Sequence, residues 1–143
     1  MSLAYDLGEL RGLLQRFTLK DSNTFLLADA LGDIHGGSDG LFTNDTRMLS
    51  RFELDIAGHP PSLLGTAINQ DNTLFTAHLT NRPLPAPGEG SIPHGVIHIE
   101  RNRFLSGSRL YECIRLTNFS EYDAQVPLKL RYAADFVDIF EVQ

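Results

Sequence analysis

The chain has 143 residues, 42% hydrophobic and 21% charged, which suits one globular domain and excludes a disordered chain. Eighteen acidic against 12 basic residues give a formal charge of −6 with no lysine/arginine run, so nucleic acid and anionic membranes are poor partners. No stretch reaches the ~18 consecutive apolar residues of a membrane helix, no signal peptide is visible, and a single cysteine, Cys113, excludes an internal disulfide and fits a reducing, cytoplasmic setting.

Residues 1–14 place Leu3, Leu7, Leu10, Leu13 and Leu14 at helical spacings, weakened by Gly8 and Gly12, so the segment reads as a short helix or a leader. A single domain over 15–143 follows. Phe17 and Leu19 alternate with polar neighbours, Asp21-Ser22-Asn23 turns the chain, and Thr24–Asp29 resumes as a strand. Leu31-Gly32-Asp33 is a tight turn, and 35–40 is a glycine-rich loop. A polar knot, Asn44-Asp45-Thr46-Arg47, then opens a strand in which Phe52, Leu54 and Ile56 alternate with Arg51, Glu53 and Asp55. Further strands are expected at Ser62–Ile68 and 73–80. The run 82–90 holds three prolines and two glycines and reads as a surface excursion within the domain. Strands at 96–105, 109–119 and 126–132 with short turns predict an antiparallel meander. Eight or nine strands at this spacing make the fold class all-β, an antiparallel, supersandwich-like β-sandwich.

The final stretch, 133–143, is apolar and acidic together: Phe136, Val137, Ile139, Phe140 and Val142 stand among Asp135, Asp138 and Glu141. So much apolar surface predicts that the segment leads into, or packs on, a further domain, and it makes self-association an open outcome. Two carboxylates at a set separation serve glycoside hydrolysis, but a solvated acidic edge explains Asp135, Asp138 and Glu141 more simply. The polar loop residues Asp45 and Arg47 are candidates for ligand or interface contact, with a loop-to-strand tie as the plainer reading. Of five histidines, His94 and His98 fall on one strand face, and no acidic or cysteine partner completes a metal set, so no metal and no cofactor are expected. Cys113 reads as a buried thiol within a strand.

Several blocks together resemble the N-terminal domain of bacterial and archaeal glycogen-debranching, amylo-α-1,6-glucosidase-like proteins. They are Leu19-Lys20-Asp21-Ser22-Asn23-Thr24-Phe25, Gly40-Leu41-Phe42 through Asp45-Thr46-Arg47-Met48-Leu49-Ser50-Arg51-Phe52-Glu53-Leu54, and Asp71-Asn72-Thr73-Leu74. Leu79-Thr80-Asn81, Ile99-Glu100-Arg101 with Arg103-Phe104-Leu105, and Ala134-Asp135-Phe136-Val137-Asp138-Ile139-Phe140-Glu141-Val142 continue the likeness. The resemblance implies a β-sandwich placed before an (α/α) barrel that carries the hydrolytic carboxylates and cleaves α-1,6 branch points of an α-glucan without a metal. It implies no catalytic residue in this chain. Asp45, Arg47, Asp135, Asp138 and Glu141 become candidates for the domain interface or the edge of the substrate cleft. A free-standing α-glucan-binding module, a purely structural interaction domain and a small independent hydrolase are the alternatives.

Overall fold

The computed structural model of the chain describes residues 15–142 except Pro87 and Glu89, and the helix or leader expected over 1–14 lies outside them. Local chemistry sets the hairpins. β1 (Arg16–Asp21) and β2 (Thr24–Asp29) meet across Ser22 and Asn23. β3 (Gly40–Thr43) and β4 (Thr46–Leu49) meet across Asn44 and Asp45, whose φ values are 50° and 65°. Positive φ at both central residues gives a turn whose twist matches the strands, and asparagine and aspartate tolerate it well.

β5 (Arg51–Ile56) continues from β4 after one residue. β12 (Leu128–Ala133) pairs antiparallel with β5, from Leu128 opposite Ile56 to Ala133 opposite Arg51. The backbone beyond β12 keeps its direction along β4. Ser50 N donates to Ala133 O at 2.8 Å, Arg47 N to Val137 O at 2.9 Å, Phe136 N to Arg47 O at 3.1 Å and Ile139 N to Asp45 O at 2.7 Å. One layer therefore runs from β1 through β2, β3 and the β4–β5 pair to β12 and the segment behind it. The second layer holds β6 (Ser62–Ile68), β7 (Leu74–Thr80), β10 (Ile97–Ser106) and β11 (Arg109–Asn118) in the order β11-β10-β7-β6, all antiparallel. Within the proline-rich excursion, β8 (Leu84–Pro85) pairs with β9 (Ser91–Ile92) and buries Leu84 and Ile92, so the excursion is tied into the domain.

The layers face each other as an antiparallel β-sandwich. Leu19, Leu26 and Ala28 from β1 and β2, Leu54 and Ile56 from β5, Phe75, Ala77 and Leu79 from β7, and Ile97, Ile99 and Leu105 from β10 form one buried cluster. Each large side chain so removed from water contributes about 1.5–3 kcal/mol. The Phe17 ring meets Phe75 across the layers edge-to-face, with centroids 5.7 Å apart.

Three expectations are corrected. The 96–132 region is not a meander: β10 and β11 form a hairpin, but β12 crosses to β5 in the other layer, because an open edge there offers a partner that matches its length. Cys113 is exposed, because it sits on the outward face of β11 while Leu110, Glu112 and Ile114 take the partly buried side. His94 lies in the turn before β10 and only His98 is on the strand, so the two do not share a strand face.

β12 is exposed along its whole length. Directly opposite residues of a ladder share a face, so Leu128 and Leu130 point to the same side as Ile56 and Leu54. Leu54 and Ile56 are 1% and 3% exposed, whereas Leu128 and Leu130 are 43% and 45% exposed. One strand further out, the core-facing side of the layer is left uncovered.

Candidate functional site

Arg47 is the hinge of the first candidate site. Alternation on β4 turns it inward, and Gly40 makes room for it: a Cβ at Gly40 would stand 2.6 Å from Arg47 Cδ. Its Nη1 donates to Gly37 O at 2.7 Å and Asp39 O at 3.0 Å. Its Nη2 donates to Asp135 Oδ2 at 2.6 Å, and Nε reaches both oxygens of Asp135 at 3.2 Å. A planar guanidinium suits such two-pronged recognition of a carboxylate. The hydrogen bonds from Arg47 hold the Asp135 carboxyl below its ordinary range. One side chain thus ties the 37–39 loop and the C-terminal segment to β4.

The other predicted residues gather here in different roles. Asp45 is a turn residue that contributes its backbone carbonyl to Ile139 N, and its exposed carboxylate stands at the hairpin tip. Asp138 bridges to Thr46, and its Oδ1 accepts from Phe140 N at 2.9 Å, capping the 3-10 turn η1 (Ile139–Glu141). Glu141 lies in that turn with an exposed side chain. Asp45, Arg47, Asp135 and Asp138 therefore converge from positions some 90 residues apart, the Arg47–Asp135 separation being 88. Beside them Phe136 and Phe140 are 62% and 90% exposed.

A second polar cluster was not expected. The turn after β2 folds back so that Asp29 Oδ1 accepts from Leu31 N at 3.0 Å and Asp33 N at 2.8 Å. Asp29 Oδ2 meets His35 Nε2 at 2.8 Å, and His35 Nδ1 meets Glu53 Oε1 at 3.2 Å. Burial, then repulsion from Asp33, pushes the Asp29 carboxyl up. Burial alone would lower His35, but the charge and hydrogen bond of Asp29, with help from Glu53 and Asp33, raise it. Ligand atoms of Asp29, Asp33 and His35 lie within 4.8 Å of one another, so an acidic partner for a histidine exists that the linear spacing hid. A mainly apolar cavity of about 160 Å³ adjoins this turn, between Leu31, Pro60, Pro61 and Leu63, with Asp33, His35 and Arg82 also lining it.

A model of the N-terminal domain of (some) glycogen debranching enzymes matches residues 19–143. The chain belongs to that family. No curated protein matches it. The matched region of this debranching-enzyme domain runs from β1 through the C-terminal segment, so it contains both polar clusters. It also contains a buried charge network that sequence reasoning missed.

Arg101 and Arg103 occupy inward positions of β10, between Ile99 and Leu105, and are 0% exposed. Arg101 Nη1 donates to Asp33 Oδ1 at 2.7 Å and Leu31 O at 2.9 Å, and its Nε to Glu112 Oε1 at 2.7 Å. Arg103 donates to the same Glu112 oxygen from Nη2 at 2.7 Å and Nε at 3.1 Å. Both guanidiniums lie over the Phe52 ring, at 5.3 and 5.4 Å. Burial would lower Arg101, but Glu112 and Asp33 outweigh it and raise it. Burial and the neighbouring Arg101 charge push Arg103 down to about 10. The signal was present in the alternation, since residues 97, 99, 101, 103 and 105 share a face and only 101 and 103 are not apolar. The network fixes the 29–35 turn against β10 and so positions the second cluster.

Proposed function

We propose that this domain is a non-catalytic accessory module of a glycogen-debranching, amylo-α-1,6-glucosidase-like hydrolase, packing on a catalytic (α/α) barrel and lining the edge of its α-glucan cleft. The observation that carries the reading is the uncovered core-facing side of β12, with Leu128, Leu130 and Tyr132, continued by Phe136 and Phe140 on a segment clamped by Arg47. Apolar surface of that extent, held on a fixed backbone, suits a permanent intramolecular interface. The carboxylates of Asp45, Asp138 and Glu141 stand at its border, where sugar hydroxyls find acceptors.

A second reading, a free-standing α-glucan-binding module, is favoured by one feature. Phe104 and Tyr111 stack at 4.8 Å with an interplanar angle of 11° on the outward face of β10 and β11, both more than 40% exposed. Such a platform suits the apolar face of a sugar ring.

The test is a titration of isotope-labelled chain with a branched malto-oligosaccharide, read by amide chemical shifts, followed by an assay of the same sample for glucose. Shifts confined to 41–47 and 133–142 without glucose support the cleft-lining reading. Shifts centred on Phe104 and Tyr111 favour the binding module. No shifts at millimolar sugar leave a purely structural role, and glucose release overturns the accessory reading.

A further inference from the structure

The outward face of the second layer carries a constellation that neither the clamp nor the buried network uses. β7 and β10 pair so that Glu100 stands directly across from His78, and His98 across from Thr80. This diagonal brings His78 Nδ1 and His98 Nε2 to 3.2 Å, with ring centroids 5.3 Å apart and planes within 23°. One imidazole nitrogen donates to the other, so both nitrogens are aimed at the space between the rings. On the far side of His78 the β6 residue in register is Gly65, and a Cβ there would meet nothing within 4 Å. The glycine leaves the ground above the pair open.

We propose that His78 and His98 form a binding site for a borderline divalent transition-metal ion, Zn²⁺ being the type case. Two nitrogen ligands at ~2.0–2.1 Å from a tetrahedral ion stand about 3.3 Å apart, and the pair is already spaced in that way. Metal takes the place of the shared proton, which moves to the other nitrogen of the donor ring, and a ring rotation brings the two lone pairs onto the ion. Glu100, directly across from His78, reaches the ion as a third ligand only by turning away from Asn102 and Arg115. Its Oε2 accepts from Asn102 Nδ2 at 2.9 Å and faces Arg115 Nη1 at 3.6 Å, and Oε1 has no hydrogen-bond partner among the described residues. Water fills the remaining position above Gly65. An imidazole pair with one carboxylate selects zinc or copper over calcium and magnesium, which take oxygen-rich sets.

The experiment is calorimetric titration of the metal-stripped full chain with Zn²⁺ and, separately, with Ca²⁺ at neutral pH. The expected result is one Zn²⁺ per chain and no Ca²⁺. His78→Gln and His98→Gln should each weaken Zn²⁺ binding by about tenfold or more, and Glu100→Gln by less. His35→Gln, which alters the other donor cluster at a partly exposed side chain, should leave it unchanged. A measurement that needs no variant accompanies these: imidazole nitrogen shifts of His78 and His98 should move on Zn²⁺ addition while those of His35 and His59 do not. No saturable Zn²⁺ binding, binding that survives the double His78→Gln/His98→Gln substitution, or binding lost with His35→Gln overturns the proposal.

Discussion

Arg103→Met should leave the domain nearly as stable as before, whereas Arg101→Met should cost about 3–5 kcal/mol. Both guanidiniums are fully buried and both lean on Glu112. Arg101 has a second counter-charge in Asp33, while the hydrogen bonds of Arg103 among the described residues all go to Glu112 and its Nη1 has no partner. Burial, then the neighbouring Arg101 charge, push Arg103 down to about 10. Its charged form is therefore disfavoured in the folded chain even with Glu112 beside it. Methionine removes that penalty, keeps most of the volume, and leaves Glu112 paired with Arg101. That lowering already includes the pull of Glu112, and replacing a buried charge by an apolar group of similar volume is often neutral, so the net change should stay within about 1 kcal/mol. Arg101→Met instead strands Asp33, 3% exposed, without its cation and Leu31 O without its donor. Urea unfolding of the full chain reads both: a midpoint nearly unchanged for Arg103→Met and a large drop for Arg101→Met, at constant slope. Equal losses, or a larger loss for Arg103→Met, would refute the assignment of Arg103 as the disfavoured partner.

Four further expectations follow from particular contacts. Arg47→Ala leaves the carbonyls of Gly37 and Asp39 without donors and should cost about 2 kcal/mol, while amide exchange at 136–139 accelerates; unchanged exchange there would sink the clamp. The His35 contribution to stability is fully present below its ordinary value of about 6.5 and lost as pH rises through the raised folded value, so His35→Ala should flatten the melting-temperature decline that begins as pH rises above about 6.5, and a decline identical to wild type would refute the assignment. Gly32 has a φ of 89°, and a Cβ there would stand 3.1 Å from Phe75 Cε1, so Gly32→Ala should lose more than about 1 kcal/mol in chemical denaturation. Cys113, exposed on β11, should react with a thiol reagent in the folded chain nearly as fast as in urea; protection by folding would contradict the outward placement.

The sandwich was legible because its strands alternate strongly and most of its turns carry glycine, asparagine, aspartate or serine where positive φ is needed, Ala57 being an exception. β6 was read to the residue, and Phe52, Leu54 and Ile56 were placed on the inward side of β5. The pairing of β12 was not legible, because adjacency in sequence favours a hairpin and nothing in 126–132 names a partner strand 72 to 82 residues back. Arg47 and Asp135 were both singled out, but their union is a non-local fact that neither neighbourhood encodes. Arg101 and Arg103 escaped because charge on a strand is ordinarily taken as the solvent face. Their burial depends on Glu112 and Asp33 arriving from other elements.

The ladder from residue 128 to 139 joins partners that the chain makes far apart in time. During synthesis β4 and β5 leave the ribosome long before their outer neighbour, and closing that loop carries an entropic charge that grows slowly with its length. Until residue 139 is free, Arg47 has no Asp135 to meet and the edge of β5 stays open to any passing strand. Nascent chains halted between residues 56 and 128 would therefore present an adhesive edge, and folding of this domain should be gated by a late, long-range docking step.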